Sequence, residues 1–590
     1  MIARALAAAC SALILCAALP GARAPWRIFV GPNVRVSADS EKSHFEPMIA
    51  ASANGVLLAS TNLTGGDDNA WVTKGYVSTD SGNTWYSVLF PRLLTSHPGD
   101  FLVSGDAAVA AGASGRLFFA ALCPLAPGAH VLVTCLYRSD DRGASWLGTT
   151  LQIGDHERFV TDPANGFVLI AGKWSGKEDR LVFFVSHNNG TTFSGPHTFA
   201  RGLGIALDPC RLSDGTVFIP FVDEQKKHVY YDGVLVSPSL HVSAPFRLYD
   251  TPQTPYSELA AQRARSTIAG RFADDVIPVF VTDGARIYAF DGADRGGTQR
   301  LILRVSLDRG RRWSAARVVA APRRQGVAQF APAAAVSRGG IVGVSWSEMS
   351  GRTTYDERFS ASLDHGATFL PARVISTGKS APFNDENVAG QPQAFGGSFM
   401  QFSGFTTRSS GGDYFGMAAD GDGVFHPLWI DSRDGIGGQL YTASVAIARQ
   451  MDACSEEPDA HDIMKNVAFA FDPPRMNVAT GVLTIPVRLR NIGSVPLRAP
   501  LTLTITKLHA DENIAPTYRV PPNDSPVIIN ASNGDAGAGA TFDFSHTLGD
   551  LPALAPGAVT NAVDIEIRLH NALMAEPVLS ATVAGGRCAP

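Results

Sequence analysis

Short apolar runs of five to eight residues recur along most of this chain, and polar turns separate them. Leu181-Val182-Phe183-Phe184-Val185 and Leu301-Ile302-Leu303-Arg304-Val305 are typical, as are Gly115-Arg116-Leu117-Phe118-Phe119-Ala120-Ala121 and Ile341-Val342-Gly343-Val344-Ser345-Trp346. Runs of this length, rich in β-branched and aromatic residues and bounded by Gly, Asn and Asp, predict strands. From Val467 onward the pattern becomes a plain alternation. Leu483, Ile485, Val487 and Leu489 fall on one face of a predicted strand, with Thr484, Pro486, Arg488 and Arg490 on the other. Pro486 cannot donate to a ladder, which predicts an edge position for that strand.

One polar phrase punctuates the first part of the chain five times. It reads Ser78-Thr79-Asp80-Ser81-Gly82-Asn83-Thr84-Trp85, then Ser139–Trp146, Ser186–Phe193, Ser306–Trp313 and Ser362–Phe369. The spacing of roughly 45 to 60 residues, with one double-length gap, marks a repeat architecture. Each copy follows an apolar run and therefore sits at a strand-to-strand turn. Gly supplies a φ > 0 position, Ser and Asp bond to turn backbone, and the closing Trp or Phe is an apolar anchor.

These octamers resemble the Asp boxes of the sialidase (BNR-repeat) superfamily, whose fold is a β-propeller. Further segments resemble secreted bacterial members: His44-Phe45-Glu46-Pro47, Gly105-Asp106-Ala107-Ala108-Val109, Gly412-Asp413-Tyr414 and His426-Pro427-Leu428-Trp429-Ile430-Asp431-Ser432-Arg433. The resemblance spans most of residues 30 to 450. It implies an all-β Asp-box β-propeller at 25–450; the polar stretch at 451–466 reads as a linker, and the alternating strands at 467–590 suggest an immunoglobulin-like β-sandwich. Inner strands are expected to start near Glu46, Asp106, Glu157, Ile205, Ser266, Phe330 and Tyr414. That count predicts seven blades, with six, the number in true sialidases, as the alternative. The double-length gap holds a blade whose box has decayed, around Ser237-Pro238-Ser239-Leu240-His241. The last blade lacks an outer strand, which Arg27–Val30 or Val34–Ser37 near the N-terminus would supply.

Composition agrees with an exported, turn-dense chain. Of 590 residues 45% are apolar and 17% charged, with 58 Gly and 37 Pro. Met1-Ile2-Ala3-Arg4, the apolar run from Ala5 to Leu19 and Gly21-Ala22-Arg23-Ala24 follow the pattern of a secretory signal peptide over residues 1–24, with a retained anchor as the alternative. A secreted or periplasmic location follows, with no membrane contact after cleavage. A disulfide between Cys123 and Cys135 is expected across the Pro-Leu-Ala-Pro-Gly turn, and a second between Cys454 and Cys588. Cys210 is then left buried and inert. A formal net charge of −5 without a basic patch argues against a nucleic-acid partner, and none is expected.

The propeller funnel is lined by the starts of the inner strands, so chemistry is sought there. By resemblance to sialidases, Tyr414 is the candidate nucleophile, Glu157 or Glu46 its partner base, and Asp106 the acid/base. Arg433, Arg158 and Arg35 are the candidate clamp for a substrate carboxylate, since bidentate guanidinium groups suit a planar anion. The Asp431-Ser432-Arg433-Asp434 turn has, as its ordinary reading, an internal ion pair. A second enzymatic reading pairs two carboxylates among Asp106, Glu157, Asp413 and Glu46 to hydrolyse a neutral polysaccharide. A third is a funnel that binds glycan or protein without turnover. No cofactor is expected. The carboxylates have the oxygen ligands of a structural Ca2+, although no D-x-D-x-D-G loop is present. The expected partner is a glycan or glycoconjugate, and nothing in the sequence specifies an oligomeric state.

Overall fold

The computed structural model describes residues 26–37, 43–53, 55–64, 72–88, 90, 105–124, 131–225, 228–249, 278–294, 299–321, 329–349, 354–380, 414–433, 438–449, 461–492, 496–510, 526–549, 551, 553–555, 558–569 and 577–587. Among them the chain is all-β: the strand pairings are antiparallel, and the only helical elements are short 3-10 turns.

The first sheet shows the plan. Ser43–Ala51, Leu57–Thr64, Val72–Ser78 and Tyr86–Val88 pair in chain order, from the innermost strand outward. Sheets of the same order start from Ala108–Ala111, Ile153–Asp162, Val279–Thr282 and Gln329–Val336. In the fourth sheet the innermost strand is broken into Gly204–Ala206 and Cys210–Arg211, both paired with Val217–Gln225. Met417–Ala419, Phe425–Asp431 and Gln439–Thr442 form the last sheet of the series, and Val34–Arg35 adds its outer strand. Trp26–Val30 pairs with Val445–Arg449 along the same sheet, so both N-terminal segments are used.

Each innermost strand touches the next in chain order, and Met417–Ala419 touches Ser43–Ala51. The described sheets therefore form a closed, propeller-like ring. Apolar clusters fill the gaps between neighbours. Leu58, Val77, Leu117 and Phe119 pack between the first and second sheets, and Leu169, Phe183, Val217 and Ile219 between the third and fourth. The expected inner strand near Ser266 lies outside the described residues; the fifth sheet begins at Val279.

All five octamers close a turn between the third and outer strands. In the first, Ser78 Oγ accepts from Gly82 N at 2.8 Å and donates to Asp80 Oδ1 at 2.8 Å. Asp80 accepts from Thr84 N and Oγ1, and the Trp85 indole donates to Gly82 O. The glycine is required twice over. At Gly190, φ is +69° and a Cβ would lie 2.3 Å from the Phe118 ring of the preceding sheet. The decayed box keeps the first half of this geometry. Ser237 Oγ accepts from His241 N, and Leu240 takes the left-handed conformation (φ 64°) that Ser81 takes in the first box. Ala244 stands where the aromatic anchor would be. Beside this loop a cavity of about 340 Å³ opens between the third and fourth sheets, lined by Phe167, Leu169, Val217 and Leu240.

The described residues between 461 and 587 form two further sheets around one apolar cluster that includes Val487, Leu489, Leu503, Phe542 and Ile567. Here one expectation is corrected. Val482–Asn491 is an interior strand, flanked by Val563–Arg568 on one side and by Val467–Phe471 and Arg475–Asn477 on the other. Pro486 is tolerated because it lies where the partner changes between those two short strands, and its carbonyl accepts from Asp472 N. Arg488, on the face opposite Leu483, Ile485, Val487 and Leu489, is buried as well; it pairs with Asp472 at 2.9 Å and reaches Asp80 of the first box at 3.9 Å. Asn83 also donates to Val559 O, which ties these sheets to the ring.

The Cys123–Cys135 disulfide is formed and Cys210 is buried and free. Cys454 and Cys588 lie outside the described residues.

Candidate functional site

Three of the innermost strands carry a β-bulge near their starts. Pairing skips from Phe45/Asn62 to Met48/Ser60, from Asp155/Lys173 to Arg158/Ala171 and from Phe330/Ser347 to Ala333/Ser345. The residue in the skip is left-handed at Glu46 (φ 55°), His156 (φ 51°) and Ala331 (φ 53°), and Asp106 (φ 51°) has the same conformation at the start of the second sheet. Non-glycine residues reach this region at a cost, and a bulge re-aims the side chain that occupies it. Three consecutive sheets thus place an ionisable residue at this left-handed position: Glu46, Asp106 and His156.

At the second and third sheets these groups meet. Asp106 Oδ2 accepts from His156 N at 3.3 Å and lies 3.7 Å from Nδ1, while Asp155 Oδ1 lies 3.0 Å from the same nitrogen. Burial alone would strip the proton from His156. Asp155 and then Asp106 outweigh it and push its proton affinity up to about 10. For Asp155 the balance runs the other way: burial favours the acid form, but the imidazolium wins and holds the carboxyl well below its usual range.

Glu157 is fully buried. Its Oε1 accepts from Thr134 Oγ1 at 3.3 Å, and Oε2 has no hydrogen-bond partner among the described residues. Burial first, and the Asp106 charge second, raise its pKa well above the ordinary carboxyl value. Arg158 follows, almost wholly buried, with Nε 3.5 Å from Asp208 of the fourth sheet. Its guanidinium carbon lies 4.3 Å from the centroid of the Tyr414 ring, at the start of the closing sheet. Burial raises the Asp208 pKa against the opposing pull of Arg158. Asp106, Glu157, Arg158 and Tyr414, all expected at the funnel, are therefore gathered at the ring centre.

Among the described residues the three arginines expected as a clamp engage different groups. Arg433 binds Asp431, Thr377 and Asn33 and stacks on Tyr441, while Arg35 bonds to Ser37 O and Gln439. Both sit on the closing sheet, with partners distinct from the Asp208 and Tyr414 partners of Arg158. The polar ends of the Phe425–Asp431 and Gln439–Thr442 strands take up their guanidinium groups. The ion pair of that turn is Arg433 with Asp431; Asp434, like Asp413, lies outside the described residues. Glu46 is held by Asn62 Nδ2 at 2.6 Å. From the sequence, Asp155 and His156 belong to the ionisable run Asp155-His156-Glu157-Arg158 at an inner-strand start but receive no role there; a further signal is that Glu46-Pro47, Asp208-Pro209 and Ala331-Pro332 repeat at the inner-strand breaks.

No family matches this chain, and no curated protein does. Among solved structures it is similar to a protein of unknown function from Dyadobacter fermentans, at 13% identity and a TM-score of 0.39, over 71% of this chain and 99% of that one. A Penicillium chrysogenum α-L-arabinanase matches at 15% identity and a TM-score of 0.35, over 54% and 93%. Trypanosoma rangeli sialidase matches at 10% identity and a TM-score of 0.35, over 95% and 93%. At these values the likeness carries no argument about chemistry, and the fold rests on the sheet topology itself.

Proposed function

We propose that the chain is a secreted, glycan-directed, seven-bladed Asp-box propeller with an accessory β-sandwich, and that it cleaves a glycosidic bond at the ring centre. The observation that carries this reading is convergence: the second, third, fourth and closing sheets deliver Asp106, Asp155, Glu157, Arg158, Asp208 and Tyr414 to one place. In this reading Glu157 supplies the proton to the leaving oxygen, and an ionised carboxylate of the Asp106–Asp155 pair acts on the opposite side. Tyr414 and Arg158 form the wall against which the sugar ring is held. Sialidase-like action on an anionic sugar would use Arg158 as its carboxylate anchor. With Arg35 and Arg433 engaged elsewhere, a neutral glycan is the substrate class that the geometry favours.

One observation favours a second reading, a binding funnel without turnover: Glu157 and Arg158 are closed off from solvent. The test is hydrolysis of an aryl sialoside and of neutral polysaccharides by the purified mature chain, alongside Glu157→Gln, Asp106→Asn and Tyr414→Phe. Turnover lost in Glu157→Gln and Asp106→Asn supports hydrolysis. Glycan binding without turnover in the folded parent supports the second reading.

A further inference from the structure

The decayed box of the fourth sheet leaves a space that intact boxes close. In those, the glycine four residues after the serine is pressed onto the preceding sheet. An added Cβ would lie 2.7 Å from Val77 at Gly143, 2.5 Å from Phe218 at Gly310 and 2.7 Å from Leu303 at Gly366. His241 holds this register in the fourth sheet, since its N–H donates to Ser237 Oγ as the Gly310 N–H donates to Ser306 Oγ. A residue with a side chain cannot make that approach, and the cavity of about 340 Å³ lies at this junction of the third and fourth sheets. We propose that this cavity binds an uncharged aromatic ring of phenol size, at a site separate from the ring centre and independent of hydrolysis.

The volume is that of a ligand pocket rather than of a packing defect. Interiors keep few voids larger than a water molecule, whereas ligand pockets begin at about 300 Å³. The floor is apolar and buried, made by Phe167, Leu169 and Val217, and the exposed Asn165 and His187 stand at the mouth. Such a floor offers waters none of the polar partners they need, and it suits a ring. Aromatic contacts are already laid out at the rim. The His187 imidazole meets Phe167 edge-on with centroids 5.7 Å apart, and the Arg211 guanidinium carbon lies 4.3 Å from the Phe167 centroid. A further ring extends this cluster through the same edge and face contacts.

The rim also selects the charge and the substituent. Arg211 Nε donates to Asp162 Oδ2 at 2.9 Å and Nη1 donates to Gly215 O at 3.2 Å. Its charge is therefore balanced within the protein, which disfavours an anionic ligand. Two donors remain at the rim among the described residues: Arg211 Nη2, and the side-chain amide of Asn165, whose Oδ1 is taken by Phe167 N. A ring bearing one acceptor oxygen, as in a phenol, matches the floor and the rim together.

The experiment is titration of the purified chain with fluorophenol, followed by fluorine NMR, with fluorobenzoate as the charged counterpart. Val217→Phe and Val217→Met, which fill the floor, are titrated in parallel. The expected result is one saturable fluorophenol per chain, bound at least tenfold more tightly than fluorobenzoate. Affinity is expected to fall at least tenfold in Val217→Phe and at least threefold in Val217→Met. The Met variant carries the test on its own where the Phe variant does not fold, because a flexible side chain fills a gap with little strain. No saturable binding to a parent chain with its native melting transition overturns the proposal, and so does an unchanged affinity in Val217→Met. Tighter binding of fluorobenzoate overturns the uncharged class. No outcome touches the hydrolase reading, which the substrate assays decide separately.

Discussion

The guanidinium of Arg158 stacks on the ring of Tyr414, 4.3 Å from its centroid, and joins the third sheet to the closing sheet. These sheets are not neighbours in the ring, so the contact crosses its centre. Arg158 pairs there with Asp208 as well, which makes it a brace among three sheets.

Arg158→Ala is expected to destabilise the ring by about 2–3 kcal/mol. Removing one partner of a buried pair costs about 3–5 kcal/mol, and Asp208 is one-third exposed, which lowers the figure. Tyr414→Phe keeps the stack and is expected to cost under about 1 kcal/mol. Urea unfolding of both variants checks this; equal midpoints would mean that the brace contributes nothing.

The Asp-box aromatics should differ in weight. Trp146 is buried against Phe90, and its indole donates to Gly143 O at 3.1 Å. Trp146→Phe is expected to cost about 1 kcal/mol for the lost hydrogen bond. Trp146→Ala is expected to cost about 3–5 kcal/mol for the cavity. Phe193, only half-buried, should lose less on truncation. Thermal unfolding of the three variants would expose an inverted order.

Stability should fall between mildly acidic and mildly alkaline pH because of Glu357. This carboxyl is buried against Ser347, and burial pushes its pKa up to about 8. The folded state therefore keeps a proton that the unfolded chain releases near 4.5. The stabilisation is complete below that value and is lost as the pH rises towards 8, at up to about 1.4 kcal/mol per unit. Glu357→Gln should flatten the slope in that window. Parallel stability–pH curves for parent and variant would rule the assignment out.

At the junction of ring and C-terminal sheets, Arg488 should matter more than Asp80. Arg488 is 2.9 Å from Asp472 and 3.9 Å from Asp80, and it also donates to Thr560 O. Arg488→Ala is expected to cost about 2–3 kcal/mol, and the Arg488–Asp80 coupling in a double-mutant cycle to stay below about 1 kcal/mol. A larger coupling would make the first Asp box the main anchor of the C-terminal sheets.

The legible parts of this chain are those whose hydrogen bonds close within a few residues. Ser78, Asp80, Gly82 and Thr84 bond to one another within one turn, so the octamer announces that turn wherever it occurs. The Cys123–Cys135 link spans a short turn and was equally legible. Pro486 misled because a missing N–H excludes a continuous ladder, and an interior strand with two short partners avoids that conflict. At the site, Asp106, Glu157, Arg158 and Tyr414 could be named because they start inner strands. The dispersal of Arg35 and Arg433 could not be read, since their partners Gln439, Asn33 and Thr377 come from other parts of the ring.

By itself, then, the sequence determined the repeating turns, the strand pattern between them and the set of ionisable residues at the inner-strand starts. These follow from local backbone preferences and from hydrogen bonds of short range. Only the tertiary structure decided which of those residues meet. Closing the ring brings Arg158 to Tyr414, and left-handed backbone at Asp106 and His156 brings those side chains together from two sheets; both depend on how separate sheets pack.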